Sequence, residues 1–382
     1  MALTDKLTAI GDAIRDKTGS TDLLTLDAMP TAISGITTGG GEGGGLTEEE
    51  LTITGNCSHR FANGGWDWFI ENYGDKITTK DITSATYMFS SSKLEEIPFD
   101  INLSTTVFNG VNIGSIFNAS NITKPPYITG KVSHMDSIFS SCYYMTEIPE
   151  DWIEKIDLSY IQNDSGTKMN SIFNNCYSLR KIPINLLRNL YNKTTSSSYS
   201  PYYSNFRSCY ALDEIKEIAV LMQTLTSSMF TMSFQYIGRV NSITFAMQED
   251  GTPNTASWKS QTISLTERVG YETNVNNITD YTAYHGITAD KQVTDDASYQ
   301  ALKDDLDWWT TNVSYSRYNH DSAVETINSL PDTSAYLAEK GGTNTIKFKG
   351  ASGELTDGGA INTLTEEEIA VATAKGWTVT LV

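Results

Sequence analysis

The side chains of this 382-residue chain that could take part in metal or redox chemistry are four cysteines and four histidines. Thiols and imidazoles bind zinc when short spacings such as CxxC bring several of them together. No CxxC pair occurs, and the scattered histidines stand beside no Ser or Cys nucleophile motif; the residues are Cys57, Cys142, Cys176, Cys209, His59, His134, His285 and His320. We therefore expect no metal site, and we interpret the cysteines as small apolar residues of a buried ladder.

Neighbouring carboxylates are the other groups that could be catalytic, because two carboxyl groups across a cleft can hydrolyse a glycosidic bond. Asp304-Asp305 and Glu95-Glu96 are such pairs, although in an acidic chain they are typical of solvated surface. The sequence holds no GxSxG, HExxH, P-loop or dinucleotide-binding motif. We expect no catalytic residue and no cofactor, and a polysaccharide depolymerase stays as a third hypothesis.

Two groups of aromatic residues remain as candidates for ligand binding. Tyr199, Tyr202 and Tyr203 lie in a segment rich in Ser, Thr and Asn, a composition suited to recognition because the rings give contact area and the hydroxyls adapt. Trp308 and Trp309 lie beside three aspartates, and an exposed Trp can stack on a sugar ring. The alternative is that end caps on the core are formed by Trp66, Trp68, Trp308 and Trp309, which is the interpretation we favour for Trp66 and Trp68.

These residues need a scaffold, and residues 46–248 supply one in the form of an internal repeat, Phe-x-x-Cys-x-x-Leu-x-x-Ile-Pro. Three clear copies begin at Phe139, Phe173 and Phe206, and weaker copies centre on Phe89, Phe117 and Phe230. The intervals between the phenylalanines are 28, 22, 34, 33 and 24 residues, mostly in the range of a leucine-rich-repeat turn. One turn cannot bury its apolar face alone, so neighbouring turns must stack.

Each turn is expected to contribute a phenylalanine, and a cysteine or another small residue, to a shared interior. The predicted repeat core consists of Phe89, Phe117, Phe139, Cys142, Phe173, Cys176, Phe206 and Cys209. Short polar residues follow the rings, as in Ser140-Ser141 and Asn174-Asn175, and they are typical of the tight bends that connect turns.

An amphipathic helix, a second short helix and a glycine run open the chain. Apolar residues at steps of three and four form one face on each helix: Leu3, Leu7, Ile10 and Ile14 on the first, and Met29, Ile33 and Ile36 on the second. Two such helices cannot bury a core alone, so residues 1–38 are predicted to anchor or oligomerise the protein, with a homotrimer favoured. The alternative is a small cap packed on the body. Residues 39–45 are predicted to be a flexible linker.

The C-terminal part, residues 249–382, is predicted to be an insertion followed by a cap. Residues 345–348 and 377–381 alternate as strands do, and 33 residues separate them (378 minus 345). Thr365 to Glu368 is a capping box that opens a helix between these strands. The predicted fold is therefore an α/β solenoid of degenerate leucine-rich repeats, preceded by a short N-terminal helical module and a Gly-rich linker.

Charge and hydropathy bear on the partners. The chain has 27 basic and 46 acidic residues, a net charge of −19, which disfavours nucleic acid. No run of 18 apolar residues occurs, so we expect no membrane insertion. The N-terminal segment lacks the continuous apolar core of a secretory signal, and we expect synthesis without export from the cytoplasm.

The repeat resembles the degenerate leucine-rich repeats of the BspA-like family, found in bacterial surface proteins and in phages of gut bacteria. Its copies cover about half of the chain, although the Phe117 copy lacks the Cys and the Phe230 copy lacks the Ile-Pro. Residues 7–36 are similar to a short module that opens many tail and fibre proteins of phages and prophages of Gram-positive bacteria. In those proteins a glycine-rich link and a variable distal part commonly follow, which is the order seen here.

These resemblances imply a non-enzymatic virion structural protein, a tail or capsid fibre or receptor-binding protein. Its N-terminal helices would dock to other virion proteins, and its repeat body would face a glycan or protein of a bacterial surface. The implied location is the virion, assembled in the host cytoplasm. The alternative is a bacterial surface adhesin of the BspA-like leucine-rich-repeat type, which requires an export signal or a wall anchor.

Overall fold

The computed structural model describes residues 48, 51–161, 169–191, 202–209, 212–221, 224–226, 228–235, 237, 240–266, 297, 318–348 and 363–382. The chain divides into two compact units, Met1–Leu51 and Thr52–Val382, and the elements below belong to the second. The predicted helical module with its anchoring residues, the glycine linker, and the candidate residues Tyr199, Trp308 and Trp309 lie outside the described residues.

Short strands and helices alternate with tight turns along the second unit. The strands are β1 (Thr52–Asn56), β2 (Thr78–Ser84), β3 (Ile101–Asn102), β4 (Val111–Asn112), β5 (Ile128–His134), β6 (Ile156–Asp157), β7 (Glu214–Ile218), β8 (Ser242–Phe245), β9 (Thr262–Leu265), β10 (Asn344–Phe348) and β11 (Trp377–Leu381). The α-helices are α1 (Asp67–Tyr73), α2 (Ile184–Tyr191), α3 (His320–Ser329), α4 (Ser334–Lys340) and α5 (Glu366–Ala374). Turns of 3-10 helix occur at Ala62–Gly64, Gly74–Lys76, Trp152–Lys155 and Leu158–Tyr160.

Every pairing between these strands is parallel. β1 pairs with β2, β5 pairs with β3, β4 and β6, β7 pairs with β8, and β10 lies between β9 and β11. Parallel pairing requires the chain to return to the same end before each new strand, so each pair closes one turn of backbone. The two C-terminal strands and the capped helix that the sequence predicts are confirmed as β10, β11 and α5, and Thr345 faces Thr378.

A ladder of backbone hydrogen bonds joins the tight turns that lie between the strands. The N–H of Phe139 donates to the carbonyl of Ile172 at 3.1 Å, and the N–H of Ser141 donates to that of Asn174 at 2.7 Å. The residues two before and two after the ring, Ser137 and Ser141, have φ of 53° and 62°. A positive φ crowds the Cβ of any L-residue, and short polar side chains tolerate it best because they can hydrogen-bond locally, which agrees with the Ser and Asn residues that follow the rings.

A stack of phenylalanine rings runs through the interior, with one ring from each turn. The centroids of neighbouring rings are 5.2 to 6.1 Å apart along Phe61, Phe89, Phe117, Phe139, Phe173, Phe206 and Phe234. Each stacked pair contributes about 0.5–1.5 kcal/mol beyond the burial of its surface. The five phenylalanines and three cysteines predicted as repeat core all have 0% exposure.

The prediction that the last copy centres on Phe230 is wrong. Phe234 stacks on Phe206, whereas Phe230 stacks on Tyr202 with centroids 4.9 Å apart. The sequence prediction also omitted the first ring, Phe61, because no Leu-x-x-Ile-Pro follows it. Helix α1 occupies that stretch of the chain instead.

The cysteine ladder runs beside the rings and is fully buried. The thiols of Cys142, Cys176 and Cys209 donate to the carbonyl of the phenylalanine one turn earlier, at 2.9, 3.1 and 3.1 Å. Burial raises the pKa of Cys142 and of Cys209 to about 12, and it also raises the pKa of Cys176. Thiols that stay protonated at neutral pH are poor metal ligands and poor nucleophiles. Within the described ranges, no three His, Cys, Asp or Glu side chains are grouped as a metal would require.

Helices α3 and α5 run in the same direction and are joined at both ends. At their N-termini, His320 Nε2 lies 3.2 Å from Glu368 Oε2. At the other end, Lys375 Nζ donates to the carbonyls of Ile327 and Asn328 at 2.9 and 2.6 Å. Cations favour the negative end of a helix dipole, so Lys375 stabilises α3 as well as the contact between the two helices.

Across the described parts of the chain, no helix has the length and apolar character that crossing a membrane requires.

Removing a ring from the middle of the stack is expected to cost a large part of the stability. Phe139→Ala leaves a cavity between two neighbouring rings, and the free energy of unfolding should fall by about 3–5 kcal/mol. Urea denaturation of the whole chain measures this. Phe108→Ala is the matched control, because Phe108 is 84% exposed and its loss should change stability by less than about 0.5 kcal/mol. Equal effects of the two substitutions would contradict the role of the stack.

The contact between α3 and α5 should depend on pH. The pKa of His320 is raised by its hydrogen bond to Asp321 and, to a smaller extent, by its hydrogen bond to Glu368. The pKa of Glu368 is lowered mainly by the hydrogen bond that it accepts from the Thr365 N–H. The His320 contribution is complete below its unfolded pKa of about 6.5 and is lost as pH rises through the raised folded pKa. The Glu368 contribution is complete above its unfolded pKa of about 4.3 and is lost as pH falls through the lowered folded pKa.

Both contributions are therefore present between about pH 4.3 and 6.5. The difference in Tm between the wild-type protein and His320→Gln should be largest in this interval and should shrink at higher pH. A difference that is independent of pH from 5 to 9 would show that the imidazole charge does not contribute.

Candidate functional site

A buried carboxylate fixes helix α1 to the next turn of the stack. Asp67, in the first turn of α1, is 8% exposed and accepts hydrogen bonds from Ser92 Oγ at 2.9 Å and from the Lys93 N–H at 2.8 Å. Gly64 leaves room for this contact, since a Cβ there would lie 3.0 Å from Asp67 Oδ2 and its φ is 71°. Hydrogen bonds to a charged acceptor are stronger than neutral ones, so the helix is held in one position.

Four aromatic residues on and beside α1 form what we term the aromatic helix: Trp66, Trp68, Phe69 and Tyr73. The ring centroids of Trp66 and Phe69 are 5.8 Å apart, and those of Trp68 and Tyr73 are 6.2 Å apart. Trp66 also meets the edge of Phe61, the first ring of the stack, as the predicted end cap would. Yet Trp66 is 48% and Trp68 40% exposed, so both present much of their surface to solvent.

A groove of about 660 Å³ begins where the aromatic helix ends. The 3-10 turn Gly74–Lys76 follows α1, and a Cβ on Gly74 would overlap Cγ of Pro98 in the groove wall. Side chains from four successive turns line the groove: Ile77, Thr78, Thr79, Glu96, Ile97, Pro98, Phe99, Asp100, Asn102, Thr123, Lys124, Pro125, Pro126, Tyr127, Thr146 and Glu147. This volume lies within the usual range for ligand-binding clefts.

Hydrogen bonds between turns hold the polar wall of the groove. Thr79 Oγ1 donates to the carbonyl of Asp100 at 2.8 Å, and Asn102 Nδ2 donates to the carbonyl of Thr79 at 3.1 Å. Thr79 is buried, whereas Thr78, Asp100 and Asn102 are exposed. Side chains that are already fixed lose little conformational entropy when a ligand binds, so this wall is preorganised for binding.

The aromatic side chain of the groove is also fixed. The Tyr127 hydroxyl donates to Asp151 Oδ1 at 2.6 Å, and Lys155 Nζ lies 3.4 Å from the centroid of its ring. The hydrogen bond to Asp151 raises the pKa of Tyr127, so the phenol stays neutral at physiological pH.

The charge of the groove is acidic. Lys124 Nζ forms an ion pair with Glu147 Oε1 at 3.1 Å, which neutralises both. Glu96 and Asp100 are exposed, and in the part of the chain that the structure describes neither forms an ion pair. Exposed carboxylates without a cation partner repel anionic ligands and accept hydrogen bonds from hydroxyl groups.

The two predicted ligand-binding tyrosines that the structure describes, Tyr202 and Tyr203, differ in their exposure to solvent. Tyr202 has 0% exposure, and its hydroxyl donates to the carbonyl of Ala219 at 2.7 Å. A ring stacked on Phe230 inside the core cannot meet a ligand, so the prediction for Tyr202 is wrong. Tyr203 is 37% exposed, and its hydroxyl lies 3.6 Å from the sulfur of Met232.

The groove itself was not predicted. Its polar residues are ordinary surface types, and its first and last lining residues in chain order, Ile77 and Glu147, are 70 positions apart (147 minus 77). One signal was present: Ile97-Pro98 and Pro125-Pro126 follow successive rings at nearly the same distance. Stacked turns place such prolines in a row, and a row of prolines indicates a wall without free N–H groups.

No protein-family model matches the chain, and no curated protein or solved structure is significantly similar to it. The candidate site therefore rests on the geometry of the chain's own residues.

The carboxylate of Asp67 is expected to control the order of the aromatic helix. Asp67→Ala leaves the Lys93 N–H without its acceptor, a loss of about 1–3 kcal/mol. Amide hydrogen exchange in residues 66–76 should then accelerate by about tenfold or more, as followed by mass spectrometry. Glu71→Ala, an exposed residue of the same helix, is the control and should leave the exchange unchanged. An exchange rate in the Asp67→Ala variant equal to that of the wild-type protein would contradict the role of Asp67 in fixing the helix.

Proposed function

We propose that this chain is a non-enzymatic structural protein of a phage virion, a tail or capsid fibre or receptor-binding protein that displays its repeat body to a host surface. In this proposal the body is a solenoid of degenerate leucine-rich repeats, and residues 1–38 dock the protein to other virion proteins and assemble it, with a homotrimer favoured. The order of N-terminal module, glycine run and repeat body supports the proposal, because it is the order of the tail and fibre proteins that the N-terminus resembles.

The observation that carries the attachment role is the groove across four turns of the stack. The turns are held in register by stacked rings and backbone hydrogen bonds, so the groups that line the groove keep fixed distances from one another. A rigid surface of this kind suits repeated, weak recognition of a surface polymer. Several copies on one particle would multiply weak contacts into firm attachment.

The alternative is a bacterial surface adhesin with the same body. The groove and the ring stack favour it equally, because a cell-wall protein and a virion protein need the same recognition surface. The N-terminal segment separates the two proposals, since its resemblance is to virion proteins.

Immunogold electron microscopy of density-purified particles, with antibody against residues 47–382, tests the proposal. We expect label at a tail tip, on fibres or over the capsid. Deletion of residues 1–38 should remove the protein from particles, because docking depends on that segment. Asp100→Asn should leave incorporation intact, because the groove is not needed for docking. Label on bacterial cells with unlabelled particles would overturn the virion proposal in favour of the adhesin.

A further inference from the structure

We infer that the groove and the adjoining aromatic helix form one binding site for an uncharged oligosaccharide. This inference rests on the proposed function, because it names the class of ligand for the surface that the body would present. It depends on three properties of the site: exposed rings in a fixed position, exposed hydrogen-bonding groups in the groove, and a charge that excludes anionic polymers.

The rings leave much of their flat apolar surface exposed, although each also packs on a neighbouring ring. Trp66 and Trp68 are 48% and 40% exposed, although burial of a large aromatic side chain normally contributes to the stability of the core. The hydrogen bonds that Asp67 accepts from Ser92 and Lys93, together with the contact of Gly74 with Pro98, fix the helix that carries the two tryptophans. The C–H faces of a sugar ring carry partial positive charge and pack on the negative face of an indole.

The groove supplies the hydrogen bonds that a polyol requires. Thr78, Asp100 and Asn102 are exposed on neighbouring turns, and together they offer a hydroxyl, a carboxylate and an amide. A carboxylate accepts from hydroxyls, and the hydroxyl and amide both donate and accept, so each can bond a sugar whichever way its hydroxyls point. The volume of about 660 Å³ accommodates a short oligosaccharide rather than a folded protein.

The charges of the site select against acidic glycans and phosphate-bearing polymers. The exposed carboxylates of Glu96 and Asp100 face the groove, and Lys124, its one lining cation, is paired with Glu147. The chain as a whole carries a net charge of −19. A polyanion would therefore meet repulsion both at long range and in the groove, whereas a neutral chain of sugars meets none.

A second copy of this chain is the competing occupant for exposed tryptophans. Two copies would bring the Glu96 and Asp100 carboxylates of each toward the other's acidic surface, which opposes association. An uncharged oligosaccharide can pack on the same rings without this electrostatic repulsion.

The test uses the full-length protein on an array of neutral hexasaccharides of glucose, galactose, mannose and N-acetylglucosamine, with hexamers of galacturonate as the anionic comparison. We expect binding to at least one neutral hexamer, none to galacturonate, and less than a twofold change between 50 and 500 mM NaCl. Trp68→Ala and Asp100→Ala should each weaken binding by about tenfold or more, a loss of about 1.4 kcal/mol by the relation between affinity and free energy. Phe108→Ala removes a more exposed ring that does not line the groove, and it should leave binding unchanged.

Circular dichroism and denaturation of each variant show whether it is folded, and the exposure of both substituted side chains makes a folding defect an unexpected result. No binding to any neutral hexamer, or equal losses for Trp68→Ala and Phe108→Ala, would overturn the inference. Sedimentation of the wild-type protein as an oligomer that Trp68→Ala dissociates would also overturn it and assign the rings to a second copy.

Binding of the protein to whole Gram-positive cells, before and after periodate oxidation of their glycans, distinguishes this inference from the proposed function. Cell binding that is lost after oxidation supports both. Cell binding that survives oxidation leaves the attachment role intact and overturns the oligosaccharide. Binding to a neutral hexamer with no label on virions supports the oligosaccharide site and overturns the virion assignment.

Discussion

The distance between stacked phenylalanine rings is the constraint on which the rest of this body depends. Each turn adds one ring whose centroid lies 5.2 to 6.1 Å from the last, and N–H groups on either side of the ring donate to carbonyls of the next turn. The two sets of contacts require each other: the rings bury the apolar interior, and the ladder satisfies the backbone that the burial removes from water. The positive φ values beside each ring are the conformational cost of meeting both conditions.

The candidate site inherits its rigidity from this arrangement. The groove residues come from four separate stretches of the chain, and these stretches keep their relative positions because hydrogen bonds join neighbouring turns. The aromatic helix is attached to the same frame by one buried carboxylate, that of Asp67, which accepts hydrogen bonds from the turn that carries the second ring, Phe89. Rigidity thus extends from the core to the surface groups of the site, which is what preorganised recognition requires.

The sequence was informative wherever one turn contains the whole signal. The spacing of Phe139 and Cys142, and the Thr365 to Glu368 capping box, are local patterns, and these residues lie where the patterns place them. The sequence was misleading where the burial of a side chain depends on the neighbouring turn. Tyr202 occupies a core place opposite Phe230, although its polar neighbours are typical of surface. The groove exists only after stacking, and no window of sequence contains it.

The length of chain between successive rings varies from 22 residues, between Phe117 and Phe139, to 34, between Phe139 and Phe173, while the bonds between turns stay the same. The described junctions therefore present the same pattern of backbone donors and acceptors, whatever the length of the loop between them. A variant with one whole turn deleted or duplicated would still join matching backbone groups at the new junction. The hydrogen-bond ladder thus sets how turns are joined and leaves their number open.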